Sequence, residues 1–154
     1  GEQLVPGDPN TFVFYTGNAA SGRNSGLEAT LRWRASPAWE LGLAAGALAT
    51  RFRDFAIAGE PVPDREQPHA PGWQAAADAT WRGAGGWHAR VEATGTAAFR
   101  YDVPPNDTRS RPYWLAHARA GYETPRWSAV AYVRNAFDRE YAVRGFFFGN
   151  EPPD

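Results

Sequence analysis

The chain has 154 residues, no cysteine, no methionine and a formal net charge of −1. That is enough sequence for one domain, and the balanced charge excludes a nucleic-acid-scale basic surface. Without cysteine there can be no disulfide, no thiol chemistry and no cysteine-ligated metal. Mean hydropathy is −0.54, and no apolar run approaches the roughly 20 residues of a membrane helix. A membrane stays open all the same, because barrel strands need only about 9–11 residues, half of them polar. Lacking methionine, Gly1 does not read as a natural translation start, and the chain reads as an internal fragment. The lack of a visible signal peptide therefore carries little weight. All 16 basic residues are arginine, which reads as a bias of the source genome.

In chain order the pattern predicts seven strands. The first covers about 11–17 and the second about 22–35, with Trp33 on the apolar side and Glu28, Arg32 and Arg34 on the polar side. The third, 39–53, puts Trp39, Leu41, Leu43, Ala45, Ala47 and Ala49 on one face. Its partner face (Gly42, Ala44, Gly46, Leu48) is not polar, and its alanines favour helix intrinsically. It is read as a strand because the neighbouring hairpins need a partner. The fourth, 72–82, alternates Trp73, Ala75, Ala77, Ala79 and Trp81 with Gln74, Asp78 and Arg82. The fifth, 87–101, carries Trp87, Val91, Phe99 and Tyr101 on one face and His88, Arg90 and Glu92 on the other. A helix would put Trp87, Arg90, Val91 and Thr94 in one stripe, so the period is two. The sixth, 113–123, shows Trp114, Ala116, Ala118, Ala120 and Tyr122 against His117 and Arg119; the seventh covers 127–136. Short turns at 35–38, 83–86 and 124–126 alternate with longer connections at 54–71, 102–112 and 137–154.

All seven tryptophans fall on the apolar side of this alternation. In 73–82 and 114–122 two ring residues stand eight positions apart with alanine between them. At about 3.3 Å per residue the rings are roughly 26 Å apart. With a tilt near 40° that is about 20 Å of height, close to the roughly 25 Å apolar band of an outer-membrane barrel. Trp33, Trp39, Trp81, Trp87 and Trp127 flank the short turns, while Trp73 and Trp114, with Phe99 and Tyr101, fall at the other end. Two aromatic girdles are what a membrane interface selects. The expected architecture is all-β: an antiparallel up-and-down meander forming an open, curved sheet. A sheet packed on a soluble core would more often put its bulky residues mid-strand.

Asn135-Ala136-Phe137-Asp138-Arg139-Glu140-Tyr141 resembles the N-L-F-D-x-x-Y element near the C-terminus of TonB-dependent outer-membrane receptors, with Ala136 where the family usually has Leu. Residues 142–153 look like the last extracellular loop of one subgroup. Asn18 through Gly26-Leu27-Glu28 is similar to the family's entry into a strand, and Pro37 through Leu41, then Pro63 through Pro68 and Pro71, keep its cadence. The resemblance implies a 22-stranded barrel in the outer membrane of a Gram-negative bacterium, closed by a plug domain and energised by the TonB complex. It would import a scarce ligand such as a ferric siderophore. This chain would be about strands 15 to 21 and the last extracellular loop, with the plug and final strand absent. Outer-membrane lipid and lipopolysaccharide would surround it.

Within that frame the polar face would line the lumen with Glu28, Arg32, Asp78, His88, Arg90, Glu92, His117 and Arg119. The candidate ligand residues lie near the loops: Arg51, Arg53, Tyr101, Arg109, Arg111, Arg139, Tyr141, Arg144, Phe146, Phe147 and Phe148. Arginine suits carboxylate or phosphate groups and aromatics stack on flat ones. The competing readings are arginines facing lipopolysaccharide phosphates and phenylalanines plugging a loop. No catalytic residue, metal site or cofactor is expected: His69, His88 and His117 show no ligand spacing, and Gly83-Ala84-Gly85-Gly86 joins two strands with no helix following. Alternatives to the importer are a porin or autotransporter-type barrel, an outer-membrane hydrolase, and a soluble carbohydrate-binding β module.

Overall fold

The computed structural model describes residues 2–5, 8–14, 21–53, 55–57, 60–102 and 108–145. Strands β1 (Glu2–Val5) and β2 (Asp8–Phe14) pair with each other. Strands β3 (Ser21–Arg34) and β4 (Trp39–Arg53) are long and pair along their whole length. The small hairpin of β5 (Phe55–Ile57) and β6 (Glu60–Val62) follows. Then come β7 (Trp73–Arg82), β8 (Trp87–Thr96), β9 (Tyr113–Glu123) and β10 (Ser128–Val133). The main sheet has six strands in the order β3-β4-β7-β8-β9-β10, all neighbours antiparallel. It is an open meander whose edge strand β3 is exposed throughout.

The registers explain why period-two reading works here. From Ser21↔Arg53 to Arg34↔Glu40 the β3–β4 ladder runs without a slip. The ladders β4–β7, β7–β8 and β8–β9 are equally regular. A one-residue slip would exchange the two faces, so the unbroken registers hold each residue to one face across all six strands. The alanine-rich β4 is a strand, as its neighbours demanded. Tertiary pairing overrides its helix preference.

The short turns are held by their own residues. Ser36 Oγ accepts hydrogen bonds from the Ala38 and Trp39 amides, at 3.2 and 3.1 Å. Thr124 Oγ1 accepts from the amides of Arg126 and Trp127. Between β7 and β8, Gly85 and Gly86 take φ of +69° and +94°, a region that glycine enters without the Cβ penalty.

Three boundaries differ from the sequence reading. The main sheet holds six strands, not seven: of the expected strand 11–17, residues 11–14 belong to β2, whose partner is β1, and 15–17 lie outside the described residues. The expected strand 87–101 ends at Thr96. Beyond it, the Phe99 amide donates to Ser110 Oγ and the Phe99 carbonyl accepts from the Ser110 amide. Segment 108–110, which leads into β9, thus keeps the β8–β9 register beyond the end of the strand, with Arg100 opposite Arg109. The connection 54–71 contains the β5–β6 hairpin and then runs along the end of β4, through the Phe52↔Arg65 bridge and the Gln67 amide donating to Thr50 Oγ1.

Among the described residues there is almost no core. Ala97 and Phe99 are the buried apolar residues, each 8% exposed, and no side chain is fully buried. Leu27, Leu31, Trp33, Leu43, Trp87, Val91, Trp114 and Trp127 are all more than half exposed. A soluble domain of this length would bury most of such side chains.

Candidate functional site

One face of the sheet is a field of alanines edged by rings. At the short-turn end Trp39 stands opposite Trp81, and Trp87 opposite Tyr122 with ring centroids 4.8 Å apart. Tyr122 continues to Trp127 at 5.4 Å, and Trp33 closes β3 at the same end. At the opposite end Trp73 and Trp114 lie 5.7 Å apart. The Trp114 ring lies over Gly95, where an added Cβ would meet ring atoms at 2.6–2.7 Å. Phe99 and Tyr101 do not extend this row. They pack on each other edge-to-face at 5.5 Å and against His69, under the loops.

The other face is charged, and the register sorts it into rows. One row runs Arg32, Gly42, Asp78, Glu92, His117; the next runs Arg34, Glu40, Thr80, Arg90, Arg119, Tyr132. Arg32 donates to both oxygens of Asp78 at 3.1 Å, Arg90 lies 3.3 Å from Asp78, and Arg90 donates to Glu92 at 2.8 Å. Glu40 collects Arg32, Arg34 and Arg82 at 4.0, 3.8 and 3.7 Å. Asp78 sits at the centre of the first cluster with a side chain only 10% exposed. Arg32 reaches it across an intervening strand, roughly 10 Å of sheet. Gly42 makes that possible: a Cβ there would lie 2.5 Å from Asp78 Oδ1 and 2.6 Å from Arg32 Nη1. Gly121 accommodates His88 in the same way. The apparent lack of polarity on this face of β4 is therefore clearance for its neighbours' charges. Glycine opposite a charged residue was the signal in the sequence.

The recognisable Asn135 turn ends β10. Asn135 takes a left-handed φ of 48°, its Oδ1 accepts from the Arg139 amide, and its Nδ2 donates to the Arg139 carbonyl. The Asn135 amide donates to His117 Nδ1 at 3.2 Å, which anchors the turn to the charged face. Asparagine tolerates this backbone and supplies both bonds. The three histidines stand apart, and among the described residues no three His, Asp or Glu side chains gather as metal ligands would.

Two of the candidate ligand segments meet at the end opposite the short turns. Tyr113 stacks on Tyr141, with centroids 4.7 Å apart and planes 30° from parallel. Tyr101 donates its hydroxyl to the Ala142 carbonyl at 3.2 Å, and its ring lies against Gly145. Tyr113 pairs with Thr96, so it stands on the charged face. Arg111 precedes β9 and is exposed, as are Arg139 and Arg144. Arg51 and Arg53 are not part of this group: they end β4 on the face of Leu41 and Leu43. Arg109 is drawn to Glu66 at 3.1 Å. Phe146, Phe147 and Phe148 lie outside the described residues.

A regular meander with an exposed tryptophan face and a charged face is the local anatomy of a membrane barrel wall. The family described as TonB dependent receptor-like, beta-barrel matches residues 2–136. The chain belongs to that family. Two solved receptors share the barrel wall's fold. The ferric yersiniabactin uptake receptor FyuA from Yersinia pestis is 22% identical with a TM-score of 0.70, over 84% of this chain and 20% of that one. The siderophore receptor PiuA from Acinetobacter baumannii is 16% identical with a TM-score of 0.67, over 80% of this chain and 19% of that one. The receptor-barrel chain thus spans about a fifth of either structure. TonB-dependent receptors are transporters, and their barrels are outer-membrane proteins of Gram-negative bacteria.

Proposed function

We propose that this chain is a late part of the barrel wall of an outer-membrane importer, about strands 15 to 21 of a 22-stranded barrel. Its short turns are periplasmic, and the end bearing Tyr113 and Tyr141 is extracellular. The observation that carries this reading is an exposed tryptophan face on a sheet with almost no core, which lipid would cover. The tryptophans then form two interfacial girdles, and outer-membrane lipid, lipopolysaccharide included, surrounds them. The charged face lines the lumen and, through the rows centred on Asp78 and Glu40, supports the plug. FyuA is named as a ferric yersiniabactin uptake receptor and PiuA as a siderophore receptor, and a ferric siderophore is the ligand class proposed here too.

The stacked Tyr113–Tyr141 pair, flanked by Arg111, Arg139 and Arg144, is the best-formed ligand platform on the lumen side. It offers a flat aromatic surface to aryl groups of a ferric chelate and cations to a negatively charged one. In the whole receptor, Tyr141→Ala is expected to weaken binding of the transported ferric chelate about fivefold to tenfold, the value of one lost aromatic contact. Radio-iron uptake and binding to whole cells, run over a panel of ferric catecholate, hydroxamate and phenolate chelates, measure it. Unchanged binding for every transported chelate would remove this platform from the ligand path.

A further inference from the structure

The unbroken β3–β4 register has a second outcome beyond the tryptophan face. The face that carries Leu27, Leu31 and Trp33 on β3 continues to Ser25 and Arg23. The face that carries Leu41 and Leu43 on β4 continues to Ala49, Arg51 and Arg53. Arg23 and Arg51 stand directly opposite each other, an arrangement that repels. Both are exposed, and among the described residues neither has an acidic partner. Arg53 reaches Asp64 only at 4.0 Å, with both side chains about half exposed. Arg109 completes the group from the far side through Glu66. These four arginines border one cavity of about 710 Å³ with Leu48, Ala49 and Ala97 also in its lining. Of the four, Arg53 and Arg109 have carboxylate neighbours, Asp64 and Glu66, and Glu66 also lies 3.9 Å from Arg100.

Position narrows the occupant. Ala47 pairs with Trp73 of the outer ring row. Arg51 lies four residues further on, roughly 13 Å along the strand and about 10 Å higher at barrel tilt. Tryptophan marks the membrane interface, so Arg23, Arg51 and Arg53 stand at headgroup level, on the outside of the wall. A cargo in the lumen meets the opposite face. Guanidinium prefers phosphate and holds it through paired hydrogen bonds. The alanine field below the cavity suits acyl chains.

We propose that this cavity binds the phosphorylated headgroup of an outer-leaflet lipid. Arg23 and Arg51 hold the phosphate, and Arg53 and Arg109 flank it. The proposal rests on the barrel-wall reading, with this end extracellular, and adds a lipid site to it. Arg51 and Arg53 then serve the wall's anchorage in the outer leaflet and not the cargo.

The test uses the whole receptor that carries this chain, in nanodiscs doped with a bisphosphorylated glycolipid or its dephosphorylated counterpart. Retained lipid is counted by native mass spectrometry. The wild type should retain the phosphorylated lipid selectively, and R23Q/R51Q should lose that retention roughly tenfold or more. Arg126→Gln, at the opposite rim, should behave as wild type. Should R23Q/R51Q fail to assemble, R53Q/R109Q should show the same direction of loss. Equal retention of the two lipids by wild type, or full retention by an assembled double variant, overturns the proposal. So does displacement of the lipid by inorganic phosphate at equal concentration, or loss of ferric-chelate uptake in R23Q/R51Q with lipid retention intact. Surface labelling of Ser25→Cys on intact cells checks the orientation separately. Labelled cells without lipid selectivity reject the lipid site and leave the barrel reading standing. A receptor absent from the outer-membrane fraction rejects both.

Discussion

Arginine at Ala77 should block assembly of the barrel wall, whereas arginine at Ala76 should be tolerated. Ala77 lies midway between Trp73 and Trp81, in a row with Leu43, Ala93 and Ala116. On the proposed lipid face that height is the bilayer midplane, where arginine costs about 2–4 kcal/mol. Folded domains hold only about 5–15 kcal/mol in total, so the loss should be visible as depleted receptor in the outer membrane. Ala76 sits at almost the same height, between Ala44 and Thr94 on the charged face. An arginine there meets water and small neighbours, and the expected change is within about 0.5 kcal/mol, as for surface substitutions. Heat-modifiable migration and the urea midpoint of the whole receptor read both variants. One residue of displacement, with the same substitution, separates sidedness from general intolerance to charge.

Gly86→Ala should be the most damaging change in a short turn. Gly86 takes φ of +94°, and a Cβ there would lie 2.0 Å from the Glu123 carbonyl oxygen. That oxygen belongs to the backbone of β9, so no rotamer relieves the clash. Left-handed backbone alone costs a non-glycine residue about 1–2 kcal/mol. Moving β8 away from β9 near Trp87↔Tyr122 adds to it, for a total of about 3 kcal/mol or more. Gly85 provides the contrast. Its φ is +69°, but nothing lies within 4 Å of its Cβ position. Gly85→Ala should cost only the backbone term, about 1–2 kcal/mol. Equal urea midpoints for the two variants would show that the close approach of β8 and β9 at Gly86 is misjudged.

The wall was readable because its chemistry alternates strictly and its registers never slip. Trp73 through Trp81 and Trp87 through Val91 announce their faces residue by residue, and Pro37, Gly83 and Pro125 mark the turns. What local pattern could not show was set by partners remote in sequence. Residues 97–100 continue the alternation past the end of β8 at Thr96, and Ser110 and the Arg100↔Arg109 bridge hold them in the β8–β9 register. Gly42 reads as a weak strand residue until Arg32 and Asp78 are seen to meet above it. The stacking of Tyr113 on Tyr141 joins segments 28 positions apart, beyond the reach of periodicity. The arginines illustrate the same limit. Residue type alone groups Arg51 and Arg53 with Tyr101 and Tyr141, but the register places them on the face opposite Tyr113, the residue on which Tyr141 stacks. Their parity with Leu41 was already present in the sequence and would have separated them.

Lipid accessibility along β8 decides whether the tryptophan face meets the bilayer. The chain contains no cysteine, so a spin label on one introduced cysteine is unambiguous within it. Labels at Ala89, Val91 and Ala93 should relax preferentially with oxygen dissolved in the bilayer. Labels at Arg90, Glu92 and Thr94 should show low oxygen accessibility. A period of two in the reconstituted receptor is the predicted result. A uniform profile, or oxygen accessibility that peaks at Arg90, Glu92 and Thr94, would contradict a wall whose tryptophan face meets lipid.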